Sequence, residues 1–312
     1  MAKRIRLALD WTPNTIHTGF YVAAQKGYYE DANVEVEFLL PDSKDDEFSP
    51  AQKVISGKAD LAIVAPETVI DAQIKGAEPS LIAIAALLAK DASAMVTLQT
   101  SGIEYPGLLD GRTYASNGIP FEEQLVRKLI SNDGGLGNVK FVYPEKFQSW
   151  DTLLSGKADA TWIFVPWEGI DARLRNVELN IFKLADFHIP YGYSPLLVGH
   201  PVLIKKKKIR KFLKATRKGY LFARNNPTEA ANILMAIAQH PSLDNRTLVE
   251  QSQVFISQYY LDENGHWGIM QNKVWEDYIN WLKQHSILSI SEEQLIHDLD
   301  TYQLFTNDLW EE

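Results

Sequence analysis

Residues 54–67 read Val-Ile-Ser-Gly-Lys-Ala-Asp-Leu-Ala-Ile-Val-Ala-Pro-Glu, and residues 153–168 read Leu-Leu-Ser-Gly-Lys-Ala-Asp-Ala-Thr-Trp-Ile-Phe-Val-Pro-Trp-Glu. The two copies share one physical grammar. An apolar helix end meets a glycine that can take positive φ and stop the helix. A polar turn follows, then an apolar run too short for a helix, then a proline suited to the first position of the next helix. Each copy therefore predicts a helix–turn–strand–helix unit, one in each half of an α/β protein. Ligands of such folds sit beyond the carboxyl ends of the strands. That places Pro66-Glu67 and Pro166-Trp167-Glu168 at ligand-facing positions of two lobes, which are expected to face one cleft. Ser-Gly-Lys-Ala-Asp is also ordinary turn chemistry, and that use alone would explain its recurrence.

Working outward, the same alternation continues on both sides. Residues 5–9 read as a first strand, 34–40 as a half-exposed strand, 61–64 and 81–88 as buried ones, with helices between them. This predicts a mostly parallel sheet with helices on both faces. The pattern restarts after residue 89, with strands near 95–98, 113–115, 139–142 and 160–164 and a helix over 121–130. Residues 196–204 read as a return strand. Beyond it the chain turns helical, over 208–224, 229–238, 247–259, 275–284 and 292–299. The expected division is one lobe from residues 1–89 plus 197–312, carrying the helical tail, and a second lobe from 90–196. Two crossings, near 88–95 and 193–200, would act as a hinge.

The chain has 312 residues, enough for two domains with sizeable cores. A net charge of −9 argues against a general nucleic-acid role. The absence of cysteine excludes disulfides, thiolate catalysis and zinc–thiolate or iron–sulfur sites. No apolar run reaches the roughly 18 residues that a membrane span needs. Met1-Ala2-Lys3-Arg4 reads as leading straight into the first strand, so no secretory leader is expected within this sequence. An extracytoplasmic location is expected if a leader has been removed, and a cytoplasmic one if this is the native full-length chain.

Three segments could carry chemistry. The first is Asp10-Trp11-Thr12-Pro13-Asn14-Thr15-Ile16-His17-Thr18-Gly19, between the first strand and first helix. Trp11 offers a stacking face, while Asn14, Thr15 and His17 offer polar contacts; Asn14 and Thr15 are equally good helix caps. The second is Ser116-Asn117-Gly118-Ile119-Pro120-Phe121-Glu122-Glu123. With Pro120 opening a helix, its free amides would suit an anion or the edge of a polar heterocycle, with Asn117 and Glu122 nearby. The third is Trp162-Ile163-Phe164-Val165-Pro166-Trp167-Glu168, with Tyr191 and Tyr193 later. Aromatic rings around a carboxylate suit a planar, nitrogen-rich ligand. One of Trp162 and Phe164 is expected to face the core.

Signals for catalysis are weak. There is no Gly-x-Ser-x-Gly elbow and no P-loop. Gly134-Gly135-Leu136-Gly137 follows a helix, so it reads as a loop, and the seven histidines lack metal-ligand spacing. No cofactor and no metal is expected. The basic run 205–208 opens a helix and is expected to be a solvated face.

Taken together, Leu9-Asp10-Trp11-Thr12-Pro13-Asn14-Thr15 with His17-Thr18-Gly19, Lys26-Gly27-Tyr28-Tyr29, Gly57-Lys58-Ala59-Asp60, Trp162-Ile163-Phe164, Trp167-Glu168-Gly169 and the late Gly265-His266-Trp267-Gly268 resemble the "no message in thiamine" family. They are most similar to its bacterial substrate-binding proteins for pyrimidine precursors of thiamine. The resemblance implies a two-lobed type II periplasmic-binding-protein fold with a hinge and a ligand cleft. It also implies an aminopyrimidine ligand of the formylaminopyrimidine or hydroxymethylpyrimidine type, and delivery by a monomeric binding protein to an ABC permease. Other members are pyrimidine synthases, with a lysine and a histidine just after the first Gly-Lys-x-Asp and a cysteine-rich iron motif. The matching stretch here, Asp60 to Thr68, has neither Lys nor His, and the chain has no Cys. The synthase alternative therefore loses its functional groups together. Another aromatic or sulfonated solute is the remaining alternative.

Overall fold

A computed structural model describes residues 3–41, 48–77, 80–291, 294–295 and 299–310. The chain divides into two compact units. Unit 1 comprises Met1–Asp91, Tyr193–Trp275 and Ile290–Glu312; unit 2 comprises Ala92–Gly192 and Glu276–Ser289. Residues 276–289, which the sequence grouped with the first lobe, pack with unit 2, so the chain passes between the units at two further places.

Each unit is built on a five-stranded sheet. In unit 1 the strands are β1 (Lys3–Ala8), β2 (Val34–Leu39), β3 (Leu61–Val64), β4 (Ile82–Ala86) and β10 (Leu196–Gly199), in the order β2-β1-β3-β10-β4. In unit 2 they are β5 (Ser93–Leu98), β6 (Thr113–Ala115), β7 (Lys140–Val142), β8 (Ala160–Phe164) and β9 (Leu179–Phe182), in the order β7-β6-β8-β5-β9. The two orders are the same pattern. Three parallel strands come first, then one antiparallel strand, β10 or β5, that each unit receives from elsewhere in the chain order. The fold is α/β as the sequence implied, each sheet mixed rather than purely parallel.

The repeated stretch occupies equivalent places in the two sheets. Helices Pro50–Ile55 and Ser149–Leu154 end at Gly57 and Gly156, whose φ angles are 72° and 71°. Each following Asp then ties its strand to the neighbouring parallel one. Asp60 Oδ2 accepts from the Arg6 backbone N–H at 3.0 Å and Asp159 Oδ2 from that of Thr113 at 2.8 Å. Their own N–H groups donate back to the Arg6 and Thr113 carbonyls. Gly-Lys-Ala-Asp is thus a strand-opening clamp in both units.

Asp60 carries more than its counterpart, since Lys208 Nζ and Arg6 Nε also reach it at 2.8 and 3.2 Å. Burial opposes its charge, but these partners outweigh it and hold the carboxyl below the ordinary value. A lowered folded-state pKa adds stability above the unfolded value, and that stability is lost as pH falls through the folded one. Asp60→Asn is expected to cost about 1 kcal/mol at neutral pH, given partial screening. The difference from the parent should vanish in acid, measured by urea denaturation at several pH values.

Several boundaries differ from the sequence reading. The return strand stops at Gly199 because Pro201 opens a short helix, Pro201–Ile204, capped by His200. Pro120 does not open its helix, which runs Glu122–Asn132 after Phe121 in left-handed backbone at φ 62°. Pro166 stands in a π-helical turn, Val165–Gly169. The helix expected over 292–299 falls mostly outside the described residues, and the described pair Gln294–Leu295 is a strand. No helix among the described residues is long and apolar enough to cross a membrane.

The core of unit 1 is tight where helix Thr18–Gln25 crosses helix Lys207–Asn225. Phe20, Tyr220, Trp267 and Trp310 pack in sequence, with Trp267 stacked on Tyr220 at 4.4 Å. Trp267 is fully buried and its indole N–H donates to the Leu87 carbonyl.

Candidate functional site

In unit 1, β1 and β3 run parallel in adjacent positions, so the segment after Ala8 and the one after Val64 emerge at the same sheet end. Asn14 there is committed to its own loop. Its Oδ1 accepts from the Ile16 N–H at 2.9 Å and its Nδ2 donates to the Thr12 carbonyl at 3.1 Å. His17 is fully buried. Its Nδ1 accepts from the Asn14 N–H, so Nε2 carries the proton and donates to Asp10 Oδ1 at 2.9 Å. Both residues had been expected to meet ligand; the geometry makes them the frame of the loop. The C-terminal helices hold that frame: Thr15 bonds Ser252, Thr18 bonds Gln253, and Tyr260 and Tyr220 donate to the Thr15 and Ile16 carbonyls. Trp11 alone of the three remains partly exposed. Glu67 is buried in the first turn of helix Pro66–Ile74, where the helix dipole favours its charge. Tyr193 is buried too, its hydroxyl accepting from the Gln271 N–H at 2.9 Å.

In unit 2, β6 and β8 are likewise parallel and adjacent, which brings the loop after Ala115 and the turn after Phe164 to one sheet end. The first of these is already filled. Buried Glu122 accepts from Tyr114 Oη at 2.9 Å, Ser116 Oγ at 2.7 Å, the Asn117 N–H at 3.1 Å and the Ile119 N–H at 3.2 Å. The Gly118 N–H goes to Ser116 Oγ. The amides expected to greet an anion hold the chain's own carboxylate, so Glu122 organises the loop. Burial, then this carboxylate, pushes the Tyr114 phenol well above its ordinary value. Asn117 Nδ2 donates to the Trp162 carbonyl at 3.1 Å and ties the loop to β8, while its Oδ1 meets no partner among the described residues.

The second segment is different. Trp167 and Glu168 stand on the π turn, a rare backbone form that recurs at functional sites. Glu168 Oε2 accepts from the Phe164 N–H at 3.0 Å, and no cation pairs with it among the described residues. Burial pushes its carboxyl up to about 7; its own and the Phe164 amide pull the other way, and Asp171 adds to the rise.

Trp162 and Phe164 lie two apart in a strand and so share one face, opposite Ile163. Ile163 belongs to the core cluster with Ala94, Val96 and Leu153. Of the two aromatics Trp162 is buried and Phe164 only half-buried, so Trp162 is the one that packs inward, on the face opposite that cluster. Trp162 packs against Tyr191 at 5.5 Å, and Tyr191 meets Tyr278 edge-on at 5.4 Å. Tyr278 was missed in the sequence. Its signal was the spacing Trp275, Tyr278, Ile279, Leu282 on helix Asn272–Gln284, which reads as an ordinary packed face. Trp11, Asn117, Trp167, Glu168 and Tyr191 are the expected site residues with polar or aromatic surface still open. Among the described residues no group of three or more His, Asp or Glu side chains could hold a metal.

Comparison with known proteins adds a lineage to this geometry. The model of the family described as NMT1/THI5 like matches residues 14–230. The chain is 25% identical to a formylaminopyrimidine-binding protein of Halalkalibacterium halodurans over 288 residues, 91% of this chain and 86% of the relative. It is 22% identical to a 4-amino-5-hydroxymethyl-2-methylpyrimidine phosphate synthase of Legionella pneumophila, over 75% of this chain and 73% of that one. Among solved structures, the ligand-binding component of an ABC-type import system from Staphylococcus aureus superposes with a TM-score of 0.70 at 14% identity, covering 99% of this chain and 98% of the other.

Proposed function

The chain belongs to the NMT1/THI5 like family, and from that premise we propose that it is a non-catalytic binding protein for a thiamine-precursor aminopyrimidine. The observation that carries the reading is the carboxyl end of the unit 2 sheet. Trp167 and Glu168 share one π turn next to the Trp162–Tyr191 pair, and the carboxyl has no cation among the described residues. A planar ring with amino and ring N–H groups matches both features: aromatic faces stack on it and the carboxylate accepts from it. The formylaminopyrimidine-binding relative supports the ligand class, and the import-system neighbour supports delivery to an ABC permease outside the cytoplasm. Asp60 to Thr68, the stretch in which the synthases carry lysine and histidine, runs here through β3 into helix Pro66–Ile74 with neither residue.

Thermal denaturation with candidate ligands tests this. A formylaminopyrimidine or hydroxymethylpyrimidine at one hundred times its Kd should add about 2.7 kcal/mol and raise Tm by several degrees. Pyridoxal phosphate, which the synthases that the chain resembles carry on their lysine, should not. Trp11→Ala and Trp167→Ala should weaken that shift, each by about 1–3 kcal/mol of binding, with little change in the ligand-free Tm. A shift with sulfonates and none with any aminopyrimidine would replace the ligand class. A low ligand-free Tm in either variant would assign that tryptophan to packing.

A further inference from the structure

The basic run at 205–208 is the beginning of a longer feature. Residues 205–224 contain ten Lys or Arg and no Asp or Glu, in a chain whose net charge is −9. The remaining residues therefore sum to −19, and the molecule carries a concentrated positive stretch against an acidic background. Helix Lys207–Asn225 sorts this charge. Ile209, Phe212, Leu213, Thr216 and Tyr220 are buried, while Lys207, Lys211, Lys214 and Lys218 are exposed. The spacing of four, three and four residues puts these lysines in one line along the helix, about 16 Å long.

None of the four pairs with a carboxylate among the described residues. Lys211 Nζ donates to the Ala32 carbonyl and Lys218 lies over the Tyr28 ring. Exposed Glu30 and Asp31, on the short helix Tyr28–Asp31 packed alongside, form no ion pair with them. The arrangement works against the helix. Lys206, Lys207 and Lys208 crowd the positive end of its dipole, and Lys207–Lys211, Arg210–Lys214 and Lys214–Lys218 are like-charge pairs one turn apart. A face needed only for solubility would gain from alternating signs.

We infer that this lysine line is a docking surface for an anionic lipid bilayer. Four lysines of flexible reach and strong hydration suit a diffuse sheet of phosphate headgroups. A protein interface would instead be rich in Tyr, Trp and Arg and poor in Lys. A single-stranded nucleic-acid surface would interleave stacking aromatics with the cations.

The test is co-sedimentation of the whole protein with phosphatidylcholine vesicles containing about one-third phosphatidylglycerol, beside pure phosphatidylcholine vesicles, at low salt. Binding is expected to the anionic vesicles alone, and to fall at least tenfold at about 0.5 M salt as the charges are screened. Joint replacement Lys207→Gln, Lys211→Gln and Lys214→Gln should lower it at least tenfold, with the ligand-free Tm equal to or above the parent's. The single change Lys214→Gln should lower it about fivefold. Equal binding to neutral vesicles, no binding at low salt, or parental binding by the triple variant would each overturn the inference. Tighter retention of mixed-sequence duplex DNA than of anionic vesicles would overturn it in favour of a nucleic-acid surface. Every readout is independent of aminopyrimidine binding, so the ligand reading and this one can fail separately.

Discussion

Gly219→Ala is expected to destabilise unit 1 by about 3 kcal/mol, at the upper end of overpacking effects. A Cβ built on Gly219 overlaps the Gly19 carbonyl oxygen and stands 3.0 Å from both Ala23 N and Ala23 Cβ. These are backbone or short, stiff groups and cannot swing aside. The reverse substitution is no easier, because a Cβ on Gly19 would enter the Tyr220 ring. That ring is held by stacking on Trp267 and by its hydrogen bond to the Ile16 carbonyl at 2.7 Å. Alanine is the better helix former by about 1 kcal/mol, so a measured loss would already be net of that gain. Urea denaturation, with tryptophan fluorescence following the buried Trp267, reads the effect. A variant as stable as the parent would mean that the two helices do not approach this closely.

Glu168→Gln should change both stability and binding, each with a pH signature. The folded carboxyl titrates at about 7 against an ordinary value near 4.5, so its pKa is raised. Below pH 4.5 it is neutral in both states and carries no penalty. Between 4.5 and 7 the unfolded chain ionises first, and stability falls as pH rises; above 7 it levels off. The full span is about 3 kcal/mol. Gln removes this slope and should make the ligand-free protein more stable than the parent at pH 8. The effect on binding has the opposite direction. An N–H donor on an aminopyrimidine prefers the ionised carboxylate, so parental affinity should fall about tenfold per pH unit below 7. Gln should cost about 1.5–3 kcal/mol of affinity at pH 8 and flatten the profile. Calorimetry at pH 6 and 8 on both proteins decides it. Glu122→Gln is the counterpart: its carboxylate serves Tyr114, Ser116 and the loop amides, so it should lower the ligand-free Tm. If Glu122→Gln loses affinity at unchanged Tm while Glu168→Gln keeps it, the roles are exchanged.

The sequence by itself determined nine of the ten strands of the two sheets, β9 being the one it did not show, and the ends at which ligand contact is proposed. Gly57, Asp60 and Pro66 act within about ten residues of one another, as do Gly156, Asp159 and Pro166, and such local chemistry fixes a turn, a strand start and a helix start without distant help. The pairing of Trp162 with Phe164 on one face was also present in the period of two. Only the tertiary structure decided what the polar residues near those ends do. Asn14, His17 and Glu122 are good ligand-binding types, and nothing local reveals that Thr12, Asp10 and the Asn117 and Ile119 amides already satisfy them. The closeness of Gly19 to Gly219 spans 200 residues of chain, and Tyr278 reaches Tyr191 from a helix that the sequence had assigned to the other lobe. Buried polar groups must find partners wherever the fold supplies them. A residue's chemistry is written in the sequence, and what that chemistry is spent on depends on which distant groups the packing brings within 3 Å.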